Sequence, residues 1–212
     1  MVTKPLKKWR SSGEVAVVTQ LVEDLKKLVI PEKKTLDYIE RSPEARQKFQ
    51  VKLTQYAPQQ IVYIDESGIN NSETSTHGWC QEGKRFHGTR PGKRRDRLSL
   101  IGALCEHQFF APMVYQGYCT AKLIETWLEN CLLPNLREGQ VVVMDNAPFH
   151  NSRRIRELIE EAGCELLFLP SYSPDLNPIE HWWHKIKTAI RKQLPLHQFD
   201  VHKAADAAFR EL

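Results

Sequence analysis

Short apolar runs alternate with longer periodic stretches along most of the chain, and together they predict an α/β protein. The runs "IVYI" at 61–64 and "VVVM" at 141–144 are each followed by an aspartate. Runs this short and rich in β-branched residues are typical of buried strands. Further strands are predicted at 97–106, 109–117 and 164–170. The first two of these are separated only by polar residues, so we expect them to pair as a hairpin.

Apolar residues at helical spacing predict the helices that separate these strands. The predicted helices cover residues 15–30, 42–53, 120–136, 152–163 and 177–192. Thr120 is expected to cap the third helix and Gly163 to end the fourth. The order is a strand, a hairpin, and then alternating helices and strands. This order indicates an α/β fold with a mixed sheet flanked by helices, antiparallel early and parallel later.

Composition predicts an ordinary globular domain with room for a short appendage. Of 212 residues, 41% are hydrophobic and 26% are charged, which is typical of folded domains with a sizeable core. No apolar run approaches the roughly 18 residues that a membrane helix needs, so no membrane span is expected. The five cysteines form no CxxC pair, which predicts reduced thiols in a cytosolic protein.

The net charge of +4 is concentrated at the start of the chain. Residues 1–60 carry 12 Lys and Arg against 7 Asp and Glu, which leaves 18 against 19 for residues 61–212. Two local basic clusters remain, "TRPGKRRDR" at 89–97 and "SRRIR" at 152–156. Each is either a solvated face or a phosphate-binding surface, and the second interpretation gains weight only beside a nucleic-acid active site.

Two aspartates are predicted at the strand ends where the active sites of α/β proteins commonly lie. Asp65 and Asp145 directly follow the two short apolar runs, so both are predicted at strand ends. Aspartate is also a common turn starter, and one such residue would indicate little. Two of them, with a third acid from a following helix, offer the hard oxygen ligands that divalent magnesium prefers.

Glu180 is the candidate third acid, and two roles are open to it. If Asn177 is the N-cap and Pro178 the first helical residue, Glu180 is a capping-box glutamate. Alternatively it faces a cleft, because it lies off the apolar stripe of its helix, on the flank that carries His184 and Lys187. The stripe is expected to be core and comprises Ile179, Trp182, Trp183, Ile186 and Ile190. Residue type alone supports both roles of Glu180 equally.

Three motifs and one spacing carry a family resemblance. The segments "IDESGIN", "VVVMDNAPFH" and "LPSYSPDLNPIEHWW", with 34 residues between Asp145 and Glu180, closely resemble the catalytic domain of DDE transposases of the mariner superfamily, specifically its bacterial insertion-sequence branch. The resemblance covers about residues 34–193 and implies a ribonuclease-H-like fold. It places Asp65, Asp145 and Glu180 on the three metal-binding catalytic acids. Asp175 is rejected, because it leaves only 29 residues after Asp145 and precedes the helix.

The resemblance also implies a mechanism and partners. Two Mg²⁺ ions, with Mn²⁺ able to substitute, are expected to activate the nucleophile and stabilise the leaving oxygen. Asp65 would bridge both ions, with Asp145 on one and Glu180 on the other. Water and then a 3′ hydroxyl would serve as nucleophiles, in cut-and-paste movement into TA dinucleotides. The expected partners are double-stranded DNA of the transposon ends and target, and a second copy of the chain in a homodimer. The expected location is the bacterial cytoplasm, at the nucleoid.

DNA contacts are expected from basic residues near the acids. The candidates are Arg90, Lys93, Arg94, Arg95, His184 and Lys187. His150 is open to interpretation as a helix-start residue, a DNA contact or a support for the metal site.

The domain organisation departs from the family pattern. Family members usually carry two helix-turn-helix units before the catalytic domain. Here residues 1–33 are expected to be a helical remnant, 34–60 a connector and 61–212 the catalytic domain. Two other functions therefore stay open: a catalytically idle DNA-binding protein derived from such an element, and a ribonuclease-H-like nuclease without strand transfer.

Overall fold

The computed structural model describes residues 39–73, 85, 87, 92 and 96–211. The predicted helix at 15–30 and the N-terminal remnant at 1–33 lie outside these residues, so both stay predictions.

A five-stranded sheet with the strand order β3-β2-β1-β4-β5 lies at the centre of the described fold. The strands are β1 Ile61–Asn70, β2 Arg97–Cys105, β3 Gln108–Tyr115, β4 Val141–Met144 and β5 Glu165–Phe168. β1, β2 and β3 pair antiparallel, whereas β4 is parallel to both β1 and β5. The predicted mixed sheet, with an early hairpin and later parallel crossovers, is confirmed.

Strand β1 is longer than the sequence predicts, and this changes the position of Asp65. The prediction ended the strand at Asp65, but β1 continues to Asn70 because its antiparallel ladder with β2 runs that far. Its parallel pairing with β4 stops at Tyr63, opposite Val143. Asp65 therefore lies in the middle of a strand, just beyond the end of the parallel pairing, and β2 holds its backbone in place.

Five α-helices accompany the sheet within the described residues: α1 Pro43–Leu53, α2 Ala121–Trp127, α3 Arg153–Glu161, α4 Ile179–Gln193 and α5 Val201–Glu211. The hydroxyls of Ser42, Thr120 and Ser152 accept backbone N–H bonds and so begin α1, α2 and α3. Gly163, with a φ of +70°, follows the end of α3 as predicted. The predicted helix at 120–136 is regular only in its first half, since α2 continues through a π-helical turn and a 3₁₀ turn.

Helices cover both faces of the sheet, which explains why β2 and β4 are almost wholly buried. On one face, Trp127 of α2 and Ile155 of α3 pack with Ile64 of β1. On the other face, α4 packs against β1 and α5 against β2, and Trp183 of α4 and Leu100 of β2 belong to the same core. Side chains alternate along a strand, so β1 turns Asp65 towards α4 and its neighbour Glu66 towards α2 and α3.

Helix α5 is not among the helices that the sequence pattern predicts. Its buried residues are Val201, Ala204, Ala205 and Ala208, spaced as on one helical face. Three of the four are alanines, which make a weak apolar signal in a sequence. The packing of α5 against α4 nevertheless gives α4 a second apolar neighbour besides the sheet.

A close approach in the hairpin braces the start of α4. Gly102 lies opposite Asp65 in the β1–β2 register. A Cβ atom at Gly102 would come within 2.4 Å of the ring of Phe109. That ring stacks on Trp182, with centroids 5.8 Å apart, and meets Trp183 edge-on at 5.3 Å. The absence of a side chain at Gly102 therefore makes room for the aromatic group that supports α4.

Among the described residues, no helix is long and apolar enough to cross a membrane.

Substitution of Gly102 tests this bracing contact. Gly102→Ala should lower the free energy of unfolding by about 1–3 kcal/mol, because the added methyl group overpacks the space that Phe109 fills. Urea denaturation followed by tryptophan fluorescence measures the change. The control is Gly92→Ala, whose Cβ meets nothing within 4 Å and should change stability by less than about 0.5 kcal/mol. Equal effects of the two substitutions would contradict the bracing role.

Candidate active site

Asp65 is held by a tryptophan of α4. The indole Nε1 of Trp183 donates a hydrogen bond to Asp65 Oδ2 at 3.1 Å. Trp183 is 1% exposed, so its N–H group needs a partner inside the fold. Trp183 is core, as predicted, and Trp182 is partly buried beside it. The hydrogen bond therefore ties the middle of β1 to the first turns of α4.

Asp145 directly follows β4, as the sequence predicts. Its Oδ1 accepts a hydrogen bond from the backbone N–H of Ala147 at 3.0 Å, which makes it a turn starter. Its side chain is nevertheless 51% exposed. Asp145 thus begins a turn and presents its carboxylate to a cleft, so the two interpretations of this residue hold together.

His150 lies between two carboxylates. Its ring is 1% exposed, with Nδ1 2.5 Å from Asp145 Oδ1 and Nε2 2.8 Å from Glu66 Oε1. Because these two carboxyl neighbours raise the pKa of His150 to about 10, the imidazole is a cation at neutral pH, and both ring nitrogens then donate. Of the interpretations that the sequence left open, the structure supports the one in which His150 holds a site residue.

The charges of this trio are mutually supporting. Burial alone would lower the pKa of His150, but its hydrogen bonds to Asp145 and Glu66, and the charges of both carboxylates, raise it to about 10. Burial would raise the pKa of Asp145, yet the hydrogen bonds from His150 and Ala147 lower it below its ordinary value. Asp145 is therefore a carboxylate at neutral pH, with a fixed cation behind it.

Glu66 is a site residue that the sequence motifs do not predict. Glu66 and His150 are 84 positions apart, and only the sheet brings them together. The available signal was the alternation along β1, which turns Glu66 away from Asp65 and towards the loop after β4. The proximity of His150 to Asp145 in sequence was a second signal.

Glu180 lies in the first turn of α4 and is exposed. The helix begins at Ile179 after Pro178, and no side-chain hydrogen bond caps it. The capping-box interpretation is therefore wrong, because the Asn177 side chain does not act as the N-cap that it requires. The link between the two residues is a backbone one, from Glu180 N–H to the Asn177 carbonyl at 3.2 Å.

The three predicted acids line a single cavity of about 310 Å³. Asp65 comes from the middle of β1, Asp145 from the end of β4, and Glu180 from the start of α4. Asn177 and segments 146–147 and 169–174 complete the wall. Within the described residues, no three His, Cys, Asp or Glu side chains are close enough to form a ready metal cluster. Carboxylates without a counter-charge between them repel one another, so some separation is expected.

The pKa of Asp65 shows that the acids of this cavity act on one another electrostatically. Burial makes the largest contribution and raises the pKa of Asp65, and the charges of Glu66, Glu180 and Asp145 raise it further, to about 8. The backbone N–H of Glu66 opposes this rise. The cavity is therefore a place where negative charge has accumulated and where a cation would be stabilised.

Asp175, which the spacing rejected, does not line this cavity. Its Oδ1 accepts hydrogen bonds from Arg41 at 2.8 Å and Arg46 at 3.1 Å, and its Oδ2 accepts one from Arg46 at 2.7 Å. These ion pairs join α1 and its N-terminal flank to the loop before α4. These ion pairs give Asp175 a structural role outside the cavity.

The predicted DNA contacts fall into two groups. Arg90, Lys93, Arg94 and Arg95 lie outside the described residues. His184 and Lys187 are described, the first exposed and the second half-buried, on the flank of α4 that carries Glu180. Their position is suited to DNA, but nothing in the fold assigns them a ligand, so these contacts stay predictions.

The second basic cluster is engaged within the protein. Arg153 pairs with Glu157 at 2.6 Å and Arg154 with Glu129 at 3.3 Å. Arg156 lies 3.8 Å from an acid of its own helix. These surface ion pairs favour the interpretation of residues 152–156 as a solvated face.

A comparison with family models places most of this domain in one family. The model for the DDE superfamily endonuclease matches residues 60–201. This range contains all three acids and the helix that carries the third.

Comparison with curated proteins finds transposases. The transposase of the element Tc1 from Caenorhabditis elegans is 40% identical over 68 residues, which are 32% of this chain and 25% of that protein. The Tcb2 transposase from Caenorhabditis briggsae is 42% identical over 71 residues, 32% of this chain and 26% of that protein. The matched segment thus spans about a quarter of these relatives. The bacterial insertion-sequence branch is not tested by these matches and stays a prediction.

Solved structures share the fold. A Mos1 transposase paired-end complex with the left transposon end has a TM-score of 0.60 at 18% identity, covering 90% of this chain and 68% of that one. The Mos1 transposase catalytic domain with Raltegravir and Mn has a TM-score of 0.57 at 17% identity, covering 84% of each chain. This likeness confirms the predicted ribonuclease-H-like fold, and the family model confirms the recognition of a DDE domain. Because the family model matches more than half of the chain, the chain belongs to the DDE superfamily endonucleases.

Proposed function

We propose that this chain is the catalytic domain of a transposase that cuts DNA strands and joins the freed 3′ end to a target. The observation that carries the proposal is the convergence of Asp65, Asp145 and Glu180 on one cavity. Membership of an endonuclease family and the transposase relatives support it. Cut-and-paste movement is the form of transposition that the proposal includes.

The cavity suits divalent cations, for which we propose Mg²⁺ with Mn²⁺ as a substitute. Asp65, Asp145 and Glu180 would hold the cations through hard carboxylate oxygens. Structures of the Mos1 catalytic domain include one with Mn and one with Mg. Bound cations would activate water or a 3′ hydroxyl and stabilise charge on the departing 3′ oxygen.

The chain's own residues orient this site. Trp183 holds one oxygen of Asp65, and His150 holds one oxygen of Asp145, so both carboxylates have a set orientation. Glu180 lies in the first turn of α4, and the hydrogen bond from Trp183 to Asp65 holds this helix against β1. Because His150 is braced by Glu66 on the far side, the orientation of Asp145 does not depend on an exposed group.

DNA is the proposed partner, as transposon ends and as target, with a homodimer as the active assembly. His184 and Lys187 follow Glu180 by about one and two helical turns. A phosphate backbone that leaves the cavity along this flank of α4 would meet both side chains. Arg90, Lys93, Arg94 and Arg95 are proposed as further phosphate contacts on the grounds of their charge.

Neutralising the three acids tests the proposed chemistry. Asp65→Asn, Asp145→Asn and Glu180→Gln should each lower Mn²⁺-dependent cleavage by about a hundredfold to a thousandfold, because each removes a preorganised charge at the reaction centre. The substrate is a plasmid that carries the genomic DNA on either side of the gene for this chain. Cleaved products and products joined to target DNA are measured separately.

Asp175→Asn is the matched control for this assay. It belongs to the same sequence motif, but its carboxylate binds Arg41 and Arg46 and does not line the cavity. Its cleavage rate should stay within about threefold of the parent, because its carboxylate does not line the cavity. Cleavage without joined product would identify a nuclease without strand transfer. DNA binding without any cleavage would identify an idle binding protein, and either result contradicts the proposal.

The accumulated charge predicts a pH dependence of stability without metal. Folded Asp65 keeps its proton up to about pH 8, whereas the unfolded residue releases it near pH 4. The folded state binds the extra proton between these values, so the free energy of unfolding should fall as pH rises. The contribution of one proton is about 1.4 kcal/mol per pH unit.

The isosteric variant Asp65→Asn isolates this contribution. Urea denaturation in EDTA between about pH 4.5 and pH 6 avoids most of the titration of unfolded histidine. The difference in stability between variant and parent should grow in favour of the variant as pH rises. A constant difference across this range would show that Asp65 does not carry the raised pKa.

A further inference from the structure

Asn177 has a buried amide oxygen for which the described part of the chain offers no partner. The residue is 4% exposed, and its Oδ1 accepts no hydrogen bond from any described residue. The residue lies where an asparagine commonly caps a helix, yet no side chain caps α4. A buried acceptor without a donor costs on the order of 1–3 kcal/mol. The fold therefore retains Asn177 in a position where the rest of the described chain makes no use of its oxygen.

Asn177 is part of the wall of the candidate site. Asn177 lines the same cavity as Asp65, Asp145 and Glu180. Its backbone is held on both sides, because its N–H donates to Pro174 O at 2.9 Å and its carbonyl accepts from Glu180 N–H at 3.2 Å. Asn177 and Glu180 thus enter the cavity wall from one rigid turn.

A neutral oxygen is well matched to this cavity. The described acids alone do not form a group of three that could hold a metal ion as they stand. Another carboxylate would add to the repulsion that already acts on Asp65. An amide oxygen is a hard ligand suited to Mg²⁺ and Mn²⁺, and it adds coordination without adding charge.

We propose that Asn177 Oδ1 is a protein oxygen ligand of the divalent cation site, alongside the three carboxylates. The inference rests on the proposed function, because it assumes that the cavity binds cations. It also explains why the oxygen is left without a donor: its partner is the cation.

The test measures Mn²⁺ binding by the full chain in the absence of DNA. The dissociation constant is obtained from the electron paramagnetic resonance signal of free Mn²⁺, and the melting temperature is recorded in EDTA. Asn177→Ala should weaken Mn²⁺ binding by about tenfold or more, which is the scale of effect seen around metal sites. Asn177→Asp should bind Mn²⁺ within about threefold of the parent but melt at a lower temperature in EDTA, since it adds a negative charge to the cavity.

The chain offers a matched control in Asn71. Asn71 is also buried, at 6% exposure, and its Oδ1 also has no partner among the described residues, but it does not line the cavity. Asn71→Ala should leave Mn²⁺ binding unchanged. In EDTA, Asn177→Ala should be no more destabilising than Asn71→Ala, because neither oxygen holds the fold together.

The outcomes separate this inference from the proposed function. If the parent binds Mn²⁺ no better than Asp65→Asn, the cation site itself fails, and the inference fails with it. If the parent binds Mn²⁺ and Asn177→Ala binds it equally well, only the role of Asn177 is overturned. Loss of DNA affinity without loss of Mn²⁺ affinity would assign the oxygen to a DNA donor and also overturn the inference. Should Asn177→Ala not fold, weak Mn²⁺ binding by Asn177→Asp would overturn it instead.

Discussion

The hydrogen bond from Trp183 to Asp65 is the contact on which the geometry of the site depends. It joins the central strand to α4, and Glu180 lies one turn earlier on that helix. Because Trp183 is buried, its N–H group cannot form a hydrogen bond with water instead. Its bond to Asp65 therefore fixes the position of α4 along β1. Phe109, seated over Gly102, supports the same indole from the hairpin side. The position of the third acid thus follows from the packing of an aromatic cluster.

Asp65 and Asp145 lie in different electrostatic surroundings. Asp145 is paired with cationic His150, and its pKa is lowered below the ordinary value. Asp65 has a neutral indole as its side-chain partner, and burial together with nearby carboxylates raises its pKa to about 8. One acid is therefore fixed and ionised in advance, while the other is held where a cation would relieve its repulsion. Two carboxylates of similar sequence context become different groups because one strand continues past its aspartate and the other ends before it.

The sequence predicted the sheet, most helices and the three acids, because each of these has a local or motif-based signal. The apolar runs before Asp65 and Asp145 marked the strands, and the spacing to Glu180 marked the family, which the comparisons confirm. The length of β1 was not predictable, since it depends on the ladder with β2. The pairing of Glu66 with His150 depends on the same kind of distant contact. The alanine-rich face of α5 was too weak a signal to detect.

The central claim is that Asp65, Asp145 and Glu180 bind divalent cations together in one cavity. Anomalous diffraction from crystals of the full chain soaked in Mn²⁺ tests it most directly, because the ion is located without any assumption about activity. The account predicts one or two anomalous peaks in the cavity, each about 2.2 Å from carboxylate oxygens of this trio, after a small closure of the three side chains. Peaks elsewhere on the protein, with no peak in the cavity at saturating Mn²⁺, would contradict it.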